Sequence, residues 1–183
     1  MAVHILICGE RGVGKSTLIR QLLDTCPLPR WGFLTRRLQA DESGFHPVYI
    51  FPAGEDPLYT PENLIGKCDS RIHNTNLDIF NTLGVEYIRQ ARPGGVIVMD
   101  ELGFLESGAE KFTAAVLDAL NGDIPVLAAV KNRPDIPFLQ KVLSAEKAEV
   151  FLITPDIREM LFETLVPRVR AWAEMKSESG GKP

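Results

Sequence analysis

The chain is poor in the residue types that build metal centres and covalent frameworks, with three cysteines and three histidines. Cys8, Cys26 and Cys68 are odd in number, share no metal-type spacing and form no cluster with His4, His46 or His73, which argues against a zinc site or a disulfide scaffold. Cys8 ends the first apolar run and reads as a small buried hydrophobe. Long hydrophobic runs are also missing. The N-terminal apolar run is too short for a signal-peptide core and lacks a basic lead, and no segment approaches a membrane span. Positive charge is not in excess: Lys and Arg number 20 against 24 Asp and Glu, a net charge of −4. Without a basic stripe to displace counterions, nucleic acid is not expected as a main partner, Arg36-Arg37 being a local exception. These absences point to a reduced, cytoplasmic protein.

What is present is an ordinary globular composition, 45% hydrophobic and 24% charged over 183 residues. One domain is expected over residues 1–176, followed by a flexible tail at 177–183. Gly9-Glu10-Arg11-Gly12-Val13-Gly14-Lys15-Ser16 fits G-x-x-x-x-G-K-S/T in full. An apolar run at 3–8 leads in and a helical run leads out. A loop between a strand and a helix N-terminus turns successive backbone N–H groups toward one point, a nest for phosphate oxygens. Gly9 and Gly14 keep a Cβ out of the way, Lys15 reaches the outer phosphates, and the Ser16 hydroxyl suits Mg²⁺. The expected nucleotide-binding residues are Gly9, Glu10, Arg11, Gly12, Val13, Gly14, Lys15, Ser16 and Thr17.

Strand-like and helix-like runs alternate, which predicts an α/β fold, a three-layer sandwich with a mostly parallel sheet and helices on both faces. Strands are expected at 3–8, 96–99, 126–130 and 149–153, and helices at 15–24, 78–90, 109–120, 136–143 and 155–164. The β-rich runs 32–39 and 46–51, joined by Asp41-Glu42-Ser43-Gly44, predict an antiparallel hairpin. Residues 52–76 hold three prolines and little periodicity, and read as a long irregular loop. Thr154-Pro155 suits a helix start, and Pro167 is expected to break or kink the last helix before 169–175.

The second informative segment is Val96-Ile97-Val98-Met99-Asp100-Glu101. A buried parallel strand ending in Asp presents its carboxylate at the sheet edge where ligands bind in α/β folds. Asp100 is the expected metal partner of Ser16, and Glu101 the residue that orients or deprotonates an attacking water. The expected catalytic residues are therefore Lys15 and Glu101, and the metal residues Ser16 and Asp100. A neighbouring water-activating Glu favours hydrolysis over a kinase, which must exclude that water.

Weaker signals stand beside these. Asp100-x-x-Gly103 fits a GTP-switch pattern, and Asn132-Arg133-Pro134-Asp135 is close to a guanine-reading motif. The plainer reading makes Asp135 a cap for the helix at 136–143. Lys131 and Arg133 follow a strand's carboxyl edge, as surface charges or as a γ-phosphate finger. Arg36 and Arg37 either flank an edge strand or hold a second anionic substrate. Trp31 and Trp172 read as packing residues.

Gly-x-x-x-x-Gly-Lys-Ser, then Gly32-Phe33-Leu34-Thr35, Asp100-Glu101-Leu102-Gly103-x-Leu105-Glu106, Pro137-Phe138 and Thr154-Pro155 together resemble the thermophile and cancer-related nucleoside-triphosphatase family, over roughly residues 5–165. The resemblance implies a P-loop α/β fold and Mg²⁺-dependent, slow hydrolysis of ATP, GTP and other nucleoside triphosphates to diphosphate and phosphate. By position it places Lys15 and Ser16 on phosphate and Mg²⁺, Asp100 in the metal shell and Glu101 on the water. The chain departs from the pattern at Phe104, where a basic residue is usual. It departs also at Arg36-Arg37, where acidic residues are usual, at Gln39 for an arginine, and at Ser70-Arg71-Ile72 for a Gly-basic-Tyr step. Two other readings remain at this level: a small-molecule kinase, and a nucleotide-bound adapter resembling the GTP-binding helpers of molybdopterin-cofactor assembly, with a protein partner.

Overall fold

A computed structural model of the chain describes residues 4–69, 72–73 and 75–179. Eight strands form one sheet in the order β5-β4-β3-β2-β6-β7-β1-β8. The strands are β1 (His4–Gly9), β2 (Arg30–Arg37), β3 (His46–Pro52), β4 (Leu64–Cys68), β5 (Ile72–His73), β6 (Val96–Leu102), β7 (Val126–Lys131) and β8 (Ala148–Leu152). From β2 to β8 every pairing is parallel, and from β2 to β5 every pairing is antiparallel. The predicted α/β sandwich and hairpin are both present.

The central parallel strands carry apolar runs, Ile5–Cys8, Val96–Met99 and Val126–Val130, because both faces of the sheet are covered there. Helices α1 (Lys15–Asp24) and α6 (Arg158–Ser179) cover one face, where Ile5, Ile7, Val96, Val98, Leu127 and Ala129 meet Leu18, Leu22, Leu165 and Val169. The other face is covered by α2 (Leu77–Ile79), a π-helical turn at Phe80–Gly84, α3 (Val85–Arg89), α4 (Glu110–Asn121) and α5 (Pro137–Leu143). There Ile97, Met99, Val126, Ala128 and Val130 pack on Phe80, Phe112 and Leu139.

Two expectations are corrected. The stretch read as irregular contains a 3₁₀ turn, Pro61–Asn63, and strands β4 and β5. The five-residue β4 has Gly66 at its centre and only Ile65 and Cys68 buried, so its extended form comes from pairing with β3. The Asn63 amide anchors its start by donating to the carbonyls of Ile50 and Leu58, both at 2.7 Å. The last helix is not broken either, since α6 runs through Pro167. Leu161, Leu165, Val169 and Trp172 form a buried stripe that offsets the roughly 3 kcal/mol cost of an interior proline. Of the predicted tail, 177–179 lie within α6 and 180–183 fall outside the described residues. The departure at Ser70-Arg71 also falls outside them.

Gly32 governs how closely β2 approaches β6. It pairs with Val98 at φ +85°, and a Cβ there would lie 2.1 Å from the Val98 carbonyl oxygen. Gly32→Ala is expected to cost about 3 kcal/mol or more in denaturant unfolding. A loss below about 1 kcal/mol would show that β2 and β6 separate easily.

Candidate active site

The glycine-rich turn leaves the sheet at Gly9, passes Gly12 (φ +79°) and Gly14 (φ +99°), and enters α1 at Lys15. Left-handed φ is open to glycine at little cost. No side chain caps α1, so its first N–H groups stay free for an anion. Lys15 is buried and folds back into its own loop. Its Nζ donates to the carbonyls of Gly9 at 2.8 Å and Glu10 at 2.7 Å.

β7 lies between β1 and β6, so the tips of β1 and β6 stand about 10 Å apart. Side chains span that gap: Ser16 Oγ donates to Asp100 Oδ1 at 2.7 Å. An irregularity in the β6–β7 ladder between Met99 and Leu102 places an extra residue on β6. Leu102 thereby returns to the face of Met99, while Asp100 and Glu101 both reach the cavity. Thr35 Oγ1 donates to the Asp100 carbonyl at 3.0 Å, tying β2 to the same tip. Burial pushes the Asp100 carboxyl up to about 6; the Ser16 hydrogen bond opposes the rise, Glu101 adds to it and Lys15 opposes it.

Glu101 Oε1 is buried without a hydrogen-bond partner. It sits 3.9 Å from Lys15 Nζ and 3.7 Å from Lys131 Nζ. Lys131 ends β7 opposite Gly9, and it and Arg133 lie 5.5 and 5.8 Å from the Phe104 ring centre. Phe104 thus stands beside two cations although it carries no charge itself.

The expected residues divide clearly. Gly9, Glu10, Arg11, Ser16, Asp100 and Glu101 line one cavity of about 510 Å³, whereas Gly12, Val13, Gly14, Lys15 and Thr17 do not. Asp135 does not cap α5, whose N-cap is Ile136. Its carboxylate instead accepts two bonds from Arg133, at 2.8 and 2.6 Å, and is held below the usual range by that guanidinium. Arg36 donates to the Tyr59 hydroxyl at 3.0 Å and lies over Phe51. Trp31 and Trp172 pack against the two cores as expected.

Glu106 was visible only as part of a motif, with no role attached. It is buried and accepts the Gly103 N–H, closing the turn after β6. Burial pushes its carboxyl up to about 7. An acidic residue three positions after a glycine that follows a strand was the available signal.

A three-layer α/β domain with this turn leading into α1, and with paired carboxyls at the tip of β6, defines a P-loop nucleotide-binding protein. The chain belongs to the NTPase family, whose sequence model matches residues 4–166. It is 29% identical to the nucleoside-triphosphatase THEP1 of Methanocaldococcus jannaschii, over 92% of this chain and 98% of that one. It is 30% identical to the cancer-related nucleoside-triphosphatase homolog of Mus musculus, over 93% and 98%. The crystal structure of THEP1 from Aquifex aeolicus superposes with a TM-score of 0.71 at 22% identity, covering 91% of this chain and 98% of that one. The solution structure of a human cancer-related nucleoside triphosphatase gives 0.66 at 23%, covering 93% and 98%. No helix among the described residues is long and apolar enough to cross a membrane.

The buried carboxyls set a pH dependence. Glu106 rises from 4.5 to about 7 on folding, so the folded protein holds that proton more tightly. The associated stability is full below 4.5 and is lost as pH rises through about 7. Asp100, raised from 3.8 to about 6, acts in the same direction. Denaturant midpoints should therefore fall as pH rises from about 5 to about 8. Glu106→Gln, which keeps an acceptor for Gly103, should flatten the upper part of that slope. An unchanged slope in the variant would overturn the assignment.

Proposed function

We propose that the protein hydrolyses nucleoside 5'-triphosphates, ATP, GTP and others, to diphosphate and phosphate in a Mg²⁺-dependent reaction. The observation that carries this reading is Glu101 Oε1, a buried acceptor with no hydrogen bond, placed between two lysines beside the phosphate loop. The loop amides from Gly9 to Thr17 hold the phosphates, and Lys15 exchanges its two loop carbonyls for β- and γ-phosphate oxygens. Ser16 Oγ and Asp100 offer hard oxygen donors side by side, the chemistry Mg²⁺ prefers. No cluster of three or more His, Cys, Asp or Glu among the described residues suits a metal ion. That fits a cation held by one or two protein oxygens together with substrate phosphates. When bound, Mg²⁺ neutralises charge on the phosphates.

Glu101 accepts a proton from a water whose oxygen attacks the γ-phosphorus. The bond to the β,γ-bridging oxygen breaks, and the diphosphate leaves. Lys131 holds the same carboxylate from the β7 side. Asp135 is committed to Arg133 and does not line the cavity, which supports a broad choice of base. Turnover is slow in this reading, and Lys15 and Ser16 exchange their internal hydrogen bonds for contacts to the nucleotide when it binds.

Calorimetry and phosphate-release assays test these roles. Lys15→Ala should weaken nucleotide binding by about tenfold or more. Glu101→Gln should keep nucleotide affinity and lose about 10²- to 10⁴-fold in kcat. Full turnover in that variant refutes the role of Glu101. Chelation of Mg²⁺ should abolish phosphate release, and Asp100→Asn should raise the Mg²⁺ concentration needed for half-maximal rate.

A further inference from the structure

The cavity is longer than the proposed reaction needs. A triphosphate held by the loop amides, Lys15 and Ser16 ends near Asp100 and Glu101. The cavity continues past them over Thr35 and Val48 to Ile65 on β4. β4 lies three strand spacings beyond β6 in the sheet, roughly 14 Å. The cavity of about 510 Å³ spans both ends, from Gly9, Glu10 and Ser16 at the phosphate loop to Ile65 and Lys67 on β4, and a single attacking water, about 30 Å³ in the liquid, does not fill the β4 end. The antiparallel strands β3 and β4 supply this far wall and contribute nothing to the phosphate loop.

The extension has the make-up of a ligand site: an apolar floor with a few convergent polar groups. Ile65 and Phe80 are buried, Val48 and Leu105 half-buried, and all four line it. Glu106, only 2% exposed, is its buried carboxyl. At the rim, Lys67 is taken up by Asp41 at 2.6 Å, whereas Arg37 is exposed and makes no hydrogen bond or ion pair among the described residues.

We propose that this chamber binds a second small organic molecule beside the γ-phosphate, so that triphosphate turnover responds to its occupancy. The ligand class follows from the walls: an apolar body on Val48, Ile65 and Phe80, a hydroxyl or amine toward Glu106, and a carboxylate or other anion toward Arg37. The proposal rests on the preceding reading in placing the γ-phosphate at Asp100 and Glu101 and in the turnover that occupancy alters.

The test screens a set of fragment-sized hydroxy- and amino-carboxylates by saturation-transfer NMR. It uses the full chain with Mg²⁺ and a non-hydrolysable ATP analogue. Binders are expected that compete with one another, lose affinity by about tenfold in Arg37→Glu, and disappear in Val48→Trp, which fills the chamber. Affinity for the ATP analogue should stay within about twofold in both variants, and bound fragments should change the rate of phosphate release by the wild type. Arg37 is exposed at the end of β2, so its variant reports even where Val48→Trp fails to fold. Absence of any binder, binders indifferent to Arg37→Glu, or binders without effect on phosphate release would overturn the proposal. Phosphate release by the wild type without fragments tests hydrolysis separately: its absence refutes hydrolysis, while fragment binding and its loss in Arg37→Glu still decide whether the chamber is a ligand site.

Discussion

The hydrogen bond from Ser16 to Asp100 crosses the tip of an intervening strand, and the site depends on that crossing. Because β7 lies between β1 and β6, the phosphate loop and the acidic pair cannot meet through the backbone. Their distance is set by two strand spacings, about 10 Å, and closed by side chains. The same arrangement brings the end of β7 between them, which is why Lys131 reaches Glu101 from one side while Lys15 reaches it from the other. One strand inserted in the sheet thus determines who neighbours the proposed base.

A second constraint acts from the opposite side of β6. Gly32 lets β2 approach Val98 more closely than any side chain would permit, and Thr35, three residues on, holds the Asp100 carbonyl. The irregularity in β6 then spares Asp100 and Glu101 from pointing to opposite faces, as strict alternation would require. β2 is also where the sheet changes from parallel to antiparallel pairing. The strand that supports the acidic pair therefore begins the wall of the extended chamber.

Much of the fold was legible because the parallel strands are covered on both faces and so read as unbroken apolar runs, as in Val96–Met99 and Val126–Val130. Helix α1 appeared with its predicted bounds, since its apolar spacing follows directly on the loop. β4 was not legible: with Gly66 and Lys67 within five residues, its strand form is imposed by β3. Pro167 misled for the reverse reason, because a local penalty was outweighed by packing of Leu165 and Val169 against α1. At the site, the motif spacing singled out Lys15, Ser16, Asp100 and Glu101 as residues that come together, whereas for Glu106 its place three residues after Gly103 was the one available hint and its burial was not legible.

The sequence by itself determined that this chain has a phosphate loop and a strand-end acidic pair, because both are made of contiguous residues whose spacing specifies backbone shape. Only the tertiary structure decided that the two face each other across β7, that Glu101 lies between two lysines, and that Asp135 belongs to Arg133 rather than to a helix end. It also decided that the cavity runs on to β4. Apart from the local Arg133–Asp135 pair, those features depend on strand order and register between segments as far apart as Gly9 and Lys131, and no local pattern encodes which edge a strand will pair with.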